Sequence, residues 1–205
     1  ARRYYINICG KYGMQVQALL KKAAGLEIDV ICPLHGPVLT ENLKYYIDKY
    51  QIWSSYEPED EGVLIACASI YGHTMKAAEK MKEILEQKGA KKVVIADLAR
   101  DDLHEAVEDA FRYSHLVLAA ASYDASVFPP MEDFLHRLKA KNYQKRTVGI
   151  IENGSWAPTA AKSMKALMEG MKPVTFAETV VTIKSALNAE NLSQLETLAD
   201  ELLNA

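Results

Sequence analysis

From residue 62 onward the chain alternates between two rhythms. Apolar runs, GVLIACA (62–68), KVVIADL (92–98), HLVLAAA (115–121), TVGIIEN (147–153) and FAETVVTI (176–183), read as strands. Between and after them, apolar positions recur at helical spacing, with helices expected to begin near His73, Leu103, Pro129, Pro158 and Asn191. Continuous apolar runs belong to strands buried on both faces, and a helix between successive strands returns the chain to start a parallel neighbour. The expected class is therefore α/β, a five-stranded parallel sheet covered on both faces. Ligands of such sheets lie beyond the carboxyl ends of the strands. The loops after Ala68, Ala121 and Asn153 are the ones to inspect.

Upstream the rhythm differs. Residues 2–24 carry Tyr5, Ile8, Cys9, Tyr12, Val16, Leu19 and Leu20 at helical spacing, IDVIC (28–32) reads as a short strand, and ENLKYYIDKYQIW reads as a second helix. The polar stretch SSYEPEDEG has no apolar period and marks a connector. The expected division is 1–55, a linker over 56–61, and a domain over 62–205. A helix, strand and helix of that length cannot bury an independent core, so they read as the end of something larger. The absence of an initiator methionine points the same way. A strand at 28–32 without its sheet would present an unpaired edge, and dimerisation through it is expected.

Composition narrows the function. With 205 residues and 49% apolar content the chain can build a full core. A formal charge of -3 and no long Lys/Arg cluster leave no field for nucleic acid or an anionic membrane. No stretch approaches the roughly 18 apolar residues of a membrane helix. Cys9, Cys32 and Cys67 are odd in number and widely spaced, which fits buried reduced thiols in a cytoplasmic protein.

The first inspected loop, SIYGHT, brings Ser69, Ile70, Tyr71, Gly72, His73 and Thr74 to the start of a helix. Hydroxyls and free N–H groups there can cradle a phosphate, with Gly72 allowing close approach, although a plain Ser/Thr-capped turn reads equally well from this loop alone. Neither G-x-G-x-x-G nor G-x-x-x-x-G-K-[ST] is present, which disfavours dinucleotide and NTPase sites. A phosphoacceptor receiver would need acidic strand ends where this chain has Ala68, Ser69, Ala121 and Ser122. The second loop offers Ser122, Tyr123, Asp124, Ala125, Val127 and Phe128, and the third Asn153, Gly154, Ser155 and Trp156. Small residues beside aromatics could flank a flat ring, with Tyr123 and Trp156 against its faces.

On these loops, residues 62–204 resemble a flavodoxin-type domain. That resemblance implies sheet order 2-1-3-4-5, the phosphate of FMN on Ser69–Thr74, and the isoalloxazine between the Tyr123 and Trp156 loops. The stretch RRYYINICGKYGMQVQALLKKAAGLEIDVICPLHGPV is similar to the end of the metallo-β-lactamase-like domain of flavodiiron proteins, directly upstream of their flavodoxin domain. The third loop departs from the commoner family pattern, reading NGSWAP where many members have serine-tyrosine-glycine-tryptophan. In the family the histidine of the HGP loop is the last ligand of a diiron centre, which maps onto His35. The remaining ligands have no counterpart here, so His35 is not expected to hold metal in this chain. His104, His115 and His136 are scattered through helical or strand patterns and read as structural.

The resemblance implies an FMN-binding electron-transfer domain, fed by rubredoxin or an NAD(P)H-dependent reductase, that passes electrons towards a diiron oxygen or nitric oxide reductase site, and a homodimer as the working unit. With no Lys or Arg in the three loops and one acid, Asp124, the bound flavin is expected to be a low-potential donor. Two alternatives stay open at this point: an FMN-dependent NAD(P)H quinone or nitro reductase, and a cofactor-free flavodoxin-like interaction module.

Overall fold

The computed structural model describes residues 1–171 and 173–205. Five parallel strands form the central sheet: β1 (Asp60–Ala68), β2 (Val93–Asp97), β3 (Tyr113–Tyr123), β5 (Arg146–Asn153) and β6 (Val174–Ile183). Their order is β2-β1-β3-β5-β6, and the two-residue β4 (Ser126–Val127) folds back antiparallel on the end of β3. With that hairpin set aside, the order is the expected 2-1-3-4-5. Register runs evenly from β2 through β1 to β3, with Ile65 beside both Ile95 and Val117, whereas the β5–β6 pairing shifts between Val148 and Ile150 before Ile151 meets Val181. The chain leaves β1 towards β2 and then returns to β3 on the other side of β1. The winding thus reverses between β1 and β3.

Both faces of the sheet are covered, which is why its strands are apolar throughout. Helices α4 (His73–Gln87) and α8 (Ala189–Leu203) pack Ala77, Met81, Leu85, Leu195 and Leu198 against Ile65, Val117 and Ile151. On the opposite face, α5 (Leu103–Arg112), α6 (Pro129–Ala140) and α7 (Ala160–Leu167) bury Val107, Phe111, Phe134, Leu138 and Met164 against Leu64, Leu116 and Leu118.

The first 55 residues dock beside α5. α1 (Arg2–Tyr4) runs through a π turn (Tyr5–Cys9) and a 3₁₀ turn (Gly10–Tyr12) into α2 (Gly13–Ala23), and α3 spans Leu43–Ser54. The helix expected over 2–24 is therefore interrupted, at a place where two glycines of low helix propensity fall within three residues of each other. Tyr5, Ile6 and Trp53 join the same core as the α5 face of the sheet. Tyr5, Tyr50 and Trp53 form a cluster with ring centroids 5.2–5.7 Å apart. The connector is pinned as well: Arg146, 3% exposed, donates to the carbonyls of Tyr56 (2.8 Å) and Tyr113 (2.7 Å), and Lys145 donates to that of Ser55 (3.0 Å).

The strand expected at 28–32 does not form. Ile31 and Leu39 exchange two backbone hydrogen bonds of 2.9 Å as one antiparallel bridge that closes the loop holding Pro33, His35 and Pro37. The two prolines lack the N–H groups a ladder needs, and no other strand among the described residues lies alongside. Dimerisation through that edge loses its structural basis. The cysteines also split: Cys67 is buried on β1, Cys9 is half-buried, and Cys32 is exposed, contrary to the buried position expected of it.

Candidate functional site

Every helix that follows a strand begins at the carboxyl edge of the sheet, so five helix N-termini compete for partners there. Four are closed by the protein's own groups. Asp102 accepts from the N–H of His104 (2.8 Å) at α5, and Asn188 and Asn191 form a reciprocal cap at α8. α6 begins with Pro129 and Pro130, which have no N–H to satisfy. At α7, Ser122 Oγ accepts from Thr159 N (2.9 Å) and Ala160 N (3.2 Å), while Glu152 Oε2 accepts from Ala161 N (2.8 Å). Among the described residues α4 starts with Gly72, with neither a side-chain cap nor a proline in its first turn.

That open terminus has the features of an anion cradle. Gly72 lies at φ +91, where a side chain would be strained, and the space its Cβ would occupy is empty. Ser69 Oγ accepts from Gly72 N at 3.0 Å and folds the loop back on itself. Ser69 and Thr74 are each only 2% exposed. Among the described residues the Thr74 hydroxyl has no hydrogen-bond partner, and Ser69 has an acceptor role but no acceptor for its own proton. The Thr74 oxygen is not sealed in the core, so a ligand or water in the cleft can complete it. The helix dipole and the free N–H groups of the first turn of α4 favour negative charge at the same point.

The cradle opens into a cleft of about 240 Å³ between the ends of β1, β3 and β5, the place where the winding reverses. Ser69, Ile70, Tyr71, His73, Thr74, Ser122, Asn153, Gly154 and Ser155 line it, so the structure brings the three sequence-selected loops together. Tyr123, Asp124, Ala125 and Trp156 lie outside its walls: Trp156 is almost fully exposed and Tyr123 about half so. Phe128 is half-buried beside Tyr123, with ring centroids 5.9 Å apart. Val127 is turned into the core by the β4 hairpin, at 1% exposure, and does not line the cleft. Asp124 and Ala125 form the hairpin's turn, both at positive φ.

Two residues of the cleft were not anticipated, Ala121 and Ser185. Ser185 lies in the loop after β6, at φ +76, and Asn153 holds it by a two-point clamp, Nδ2 to its carbonyl (2.9 Å) and Oδ1 from its N–H (3.0 Å). His73 Nδ1 also lies 3.0 Å from the Ser185 carbonyl, which ties the α4 loop to the same point. The carboxyl-edge rule alone would have flagged this fourth loop, although it carries no aromatic or glycine.

His35 is exposed on its loop and stacks on Tyr4, with centroids 5.1 Å apart. Among the described residues no three His, Cys, Asp or Glu side chains are grouped as metal ligands. His104 meets Asn7 and His115 meets Ser114, while His136 lies 3.7 Å from Glu132.

No family model matches the sequence. Sheet order, helix layers and the cleft at the winding reversal define a flavodoxin-like fold. A flavodoxin from Streptococcus pneumoniae superposes with a TM-score of 0.60 at 19% identity, covering 71% of this chain and 99% of that one. The likeness to flavodiiron proteins extends further along the chain. Rubredoxin oxygen:oxidoreductase from Desulfovibrio gigas superposes over 99% of this chain and 51% of its own, with a TM-score of 0.90 at 20% identity. The anaerobic nitric oxide reductase flavorubredoxin of Aeromonas hydrophila is 23% identical over 157 residues, 76% of this chain and 32% of that protein. The chain spans about half the length, or less, of the curated relatives it matches. No helix among the described residues is long and apolar enough to cross a membrane.

Proposed function

We propose that the chain is an FMN-binding electron-transfer module of the flavodiiron type. The observation that carries this reading is the uncapped start of α4, with the unpartnered Thr74 hydroxyl and the empty space over Gly72, at the mouth of the cleft between β1, β3 and β5. Ser69, Tyr71, Gly72, His73 and Thr74 would hold the phosphate by hydroxyl and N–H groups. Ser122, Asn153, Gly154 and Ser155 would line the path to the ring, and Tyr123 and Trp156 would supply its aromatic faces. Bound there, FMN supplies the acceptance and release of one or two electrons. The protein's part is to fix its orientation and to set the charge around it.

In this reading electrons arrive from rubredoxin or an NAD(P)H-dependent reductase and leave for a diiron site to which this chain contributes His35 and not the remaining ligands. The names of the Desulfovibrio and Aeromonas proteins support a rubredoxin-type donor. Residues 1–55 are read as the end of a metallo-β-lactamase-like domain. The exposure of Ile8, Met14, Leu19, Leu26 and Leu34, more apolar surface than a short helical unit ordinarily leaves bare, supports this. The module is further read as working in a homodimer.

Titration of the apoprotein with FMN and with riboflavin tests the site. FMN binding is expected to weaken by about 1 kcal/mol or more in Thr74→Ala and in Ser69→Ala, one phosphate hydrogen bond each, with riboflavin affinity unchanged. Absence of FMN binding by the unmodified protein, or equal FMN affinity in all three proteins, would overturn the reading.

A further inference from the structure

Ser122 stands out among the cleft residues because its hydrogen-bonding capacity is already two-thirds committed. Its oxygen accepts from Thr159 N at 2.9 Å and from Ala160 N at 3.2 Å, which occupies both lone pairs. One valence remains, the hydroxyl proton, and no acceptor for it exists among the described residues. The residue lines the cleft, and a Cβ placed on Gly154 would fall 2.9 Å from its oxygen. The hydroxyl therefore sits between the end of β3 and the 153–158 loop, next to Tyr123 on one side and close to the turn carrying Trp156 on the other. A serine at this position that merely capped α7 would behave the same whether or not the cleft were filled. A serine whose acceptor sites are both taken can only donate.

We propose that Ser122 is a positioning residue whose hydroxyl donates to an acceptor atom on the isoalloxazine of the bound flavin, with α7's first two N–H groups holding the oxygen so that its proton faces the ring. This deepens, and rests on, the flavin reading of the cleft. The N–H groups that hold the oxygen also polarise the O–H bond, which strengthens it as a donor. The structure thus couples the start of α7 to the ring: the same atom that caps the helix orients the ligand. Glu152 completes that helix start from β5 by accepting from Ala161 N.

The test compares Ser122→Ala with Ser122→Thr in the whole chain, measuring affinity for FMN and for lumiflavin, which keeps the ring but lacks the ribityl phosphate. The visible spectrum of the bound ring and the thermal midpoint of the apoprotein are recorded for each variant. Ser122→Ala is expected to lose about fivefold in affinity for both ligands, with a shifted flavin band, and Ser122→Thr to restore both. A lower apoprotein midpoint with wild-type affinity and spectrum would show a helix cap and nothing more, and would overturn the proposal while leaving the flavin reading intact. A loss for FMN but none for lumiflavin would also overturn it, by moving the contact to the ribityl chain. If Ser122→Ala does not fold, Ser122→Cys, close in size and a weak donor, replaces it with the same expectation. Failure of the unmodified protein to bind either ligand would remove the flavin reading itself.

Discussion

Replacing Glu59 by Gln tests how the first 55 residues are held to the sheet. The Glu59 carboxylate is 6% exposed and accepts from Trp53 Nε1 (2.6 Å), Lys49 Nζ (2.7 Å) and Arg2 Nη1 (3.0 Å). Arg2 continues the network to Glu108 on α5 at 2.7 Å. Burial alone would raise the carboxyl's pKa, but hydrogen bonds from Lys49, Trp53 and Arg2 outweigh it and hold it down at about 2, against an ordinary 4.5. At about 1.4 kcal/mol per pH unit this corresponds to about 3 kcal/mol of stability at neutral pH. Glutamine keeps an acceptor for Trp53 but leaves Lys49 without its counter-charge and Arg2 with Glu108 alone, so a loss of about 2–3 kcal/mol is expected.

The pH dependence has a fixed sign. A carboxyl with a depressed folded-state pKa contributes fully above its unfolded value near 4.5, and that contribution disappears as pH falls towards 2. The difference between the native chain and Glu59→Gln should therefore be constant from pH 7 to about 5 and close between about 4.5 and 2. Urea unfolding followed by tryptophan emission measures it best in a Trp156→Phe background. Trp53 is 6% exposed and Trp156 is 97% exposed, so the remaining signal reports the docking site. A variant within about 0.5 kcal/mol of the parent at pH 7, or a difference that persists unchanged at pH 2.5, would refute the reasoning.

Further outcomes follow from single contacts. Arg146→Met leaves the carbonyls of Phe111, Tyr113 and Tyr56 without their donor and should cost about 2–4 kcal/mol in chemical unfolding, with no change in flavin affinity. Burial, reinforced by Asp97 and Glu79, pushes the Cys67 thiol up to about 12, so a thiol reagent at pH 8 should label exposed Cys32 in the native chain and reach Cys67 only on unfolding. Gly154→Ala places a Cβ 2.9 Å from both Pro158 Cα and Ser122 Oγ, and flavin titration should show at least a tenfold loss, about 1.4 kcal/mol. With no Lys or Arg among the residues lining the cleft, the bound flavin's reduction potential should lie below that of free FMN in spectroelectrochemical titration.

The sheet was legible because each central strand is apolar on both faces, as in β1, where residues 62–68 are all buried. Helix starts were legible where chemistry marks them, at His73 after a glycine and at Pro129. The run 28–32 misled for the same reason the others succeeded: an apolar stretch reports burial or exposure of one's own side chains and says nothing of whether a partner strand is present. The inward turn of Val127 was not legible because a two-residue strand is too short to display alternation. Ser185 and Glu152 escaped notice because each acts through a partner distant in sequence. Ser185 is fixed by Asn153, and Glu152 by the start of α7 and by Thr182 at 2.9 Å.

The two ends of the sheet carry different loads. At the amino edge, Arg146 and Glu59 satisfy almost every group they meet and join the connector, the first helices and α5 into one body. At the carboxyl edge, the protein closes four helix starts and leaves the fifth open, with Thr74 and Ser122 each retaining hydrogen-bonding capacity unused. Hydroxyl capacity left unused at the wall of a cleft is available to a ligand or to water. Substitutions at the two edges should therefore separate cleanly, those at Glu59 and Arg146 lowering stability at constant flavin affinity, and those at Thr74 lowering affinity at nearly constant stability. Mixed behaviour is expected at Ser122 and at Ser69, because at each one oxygen serves both a backbone N–H and the ligand.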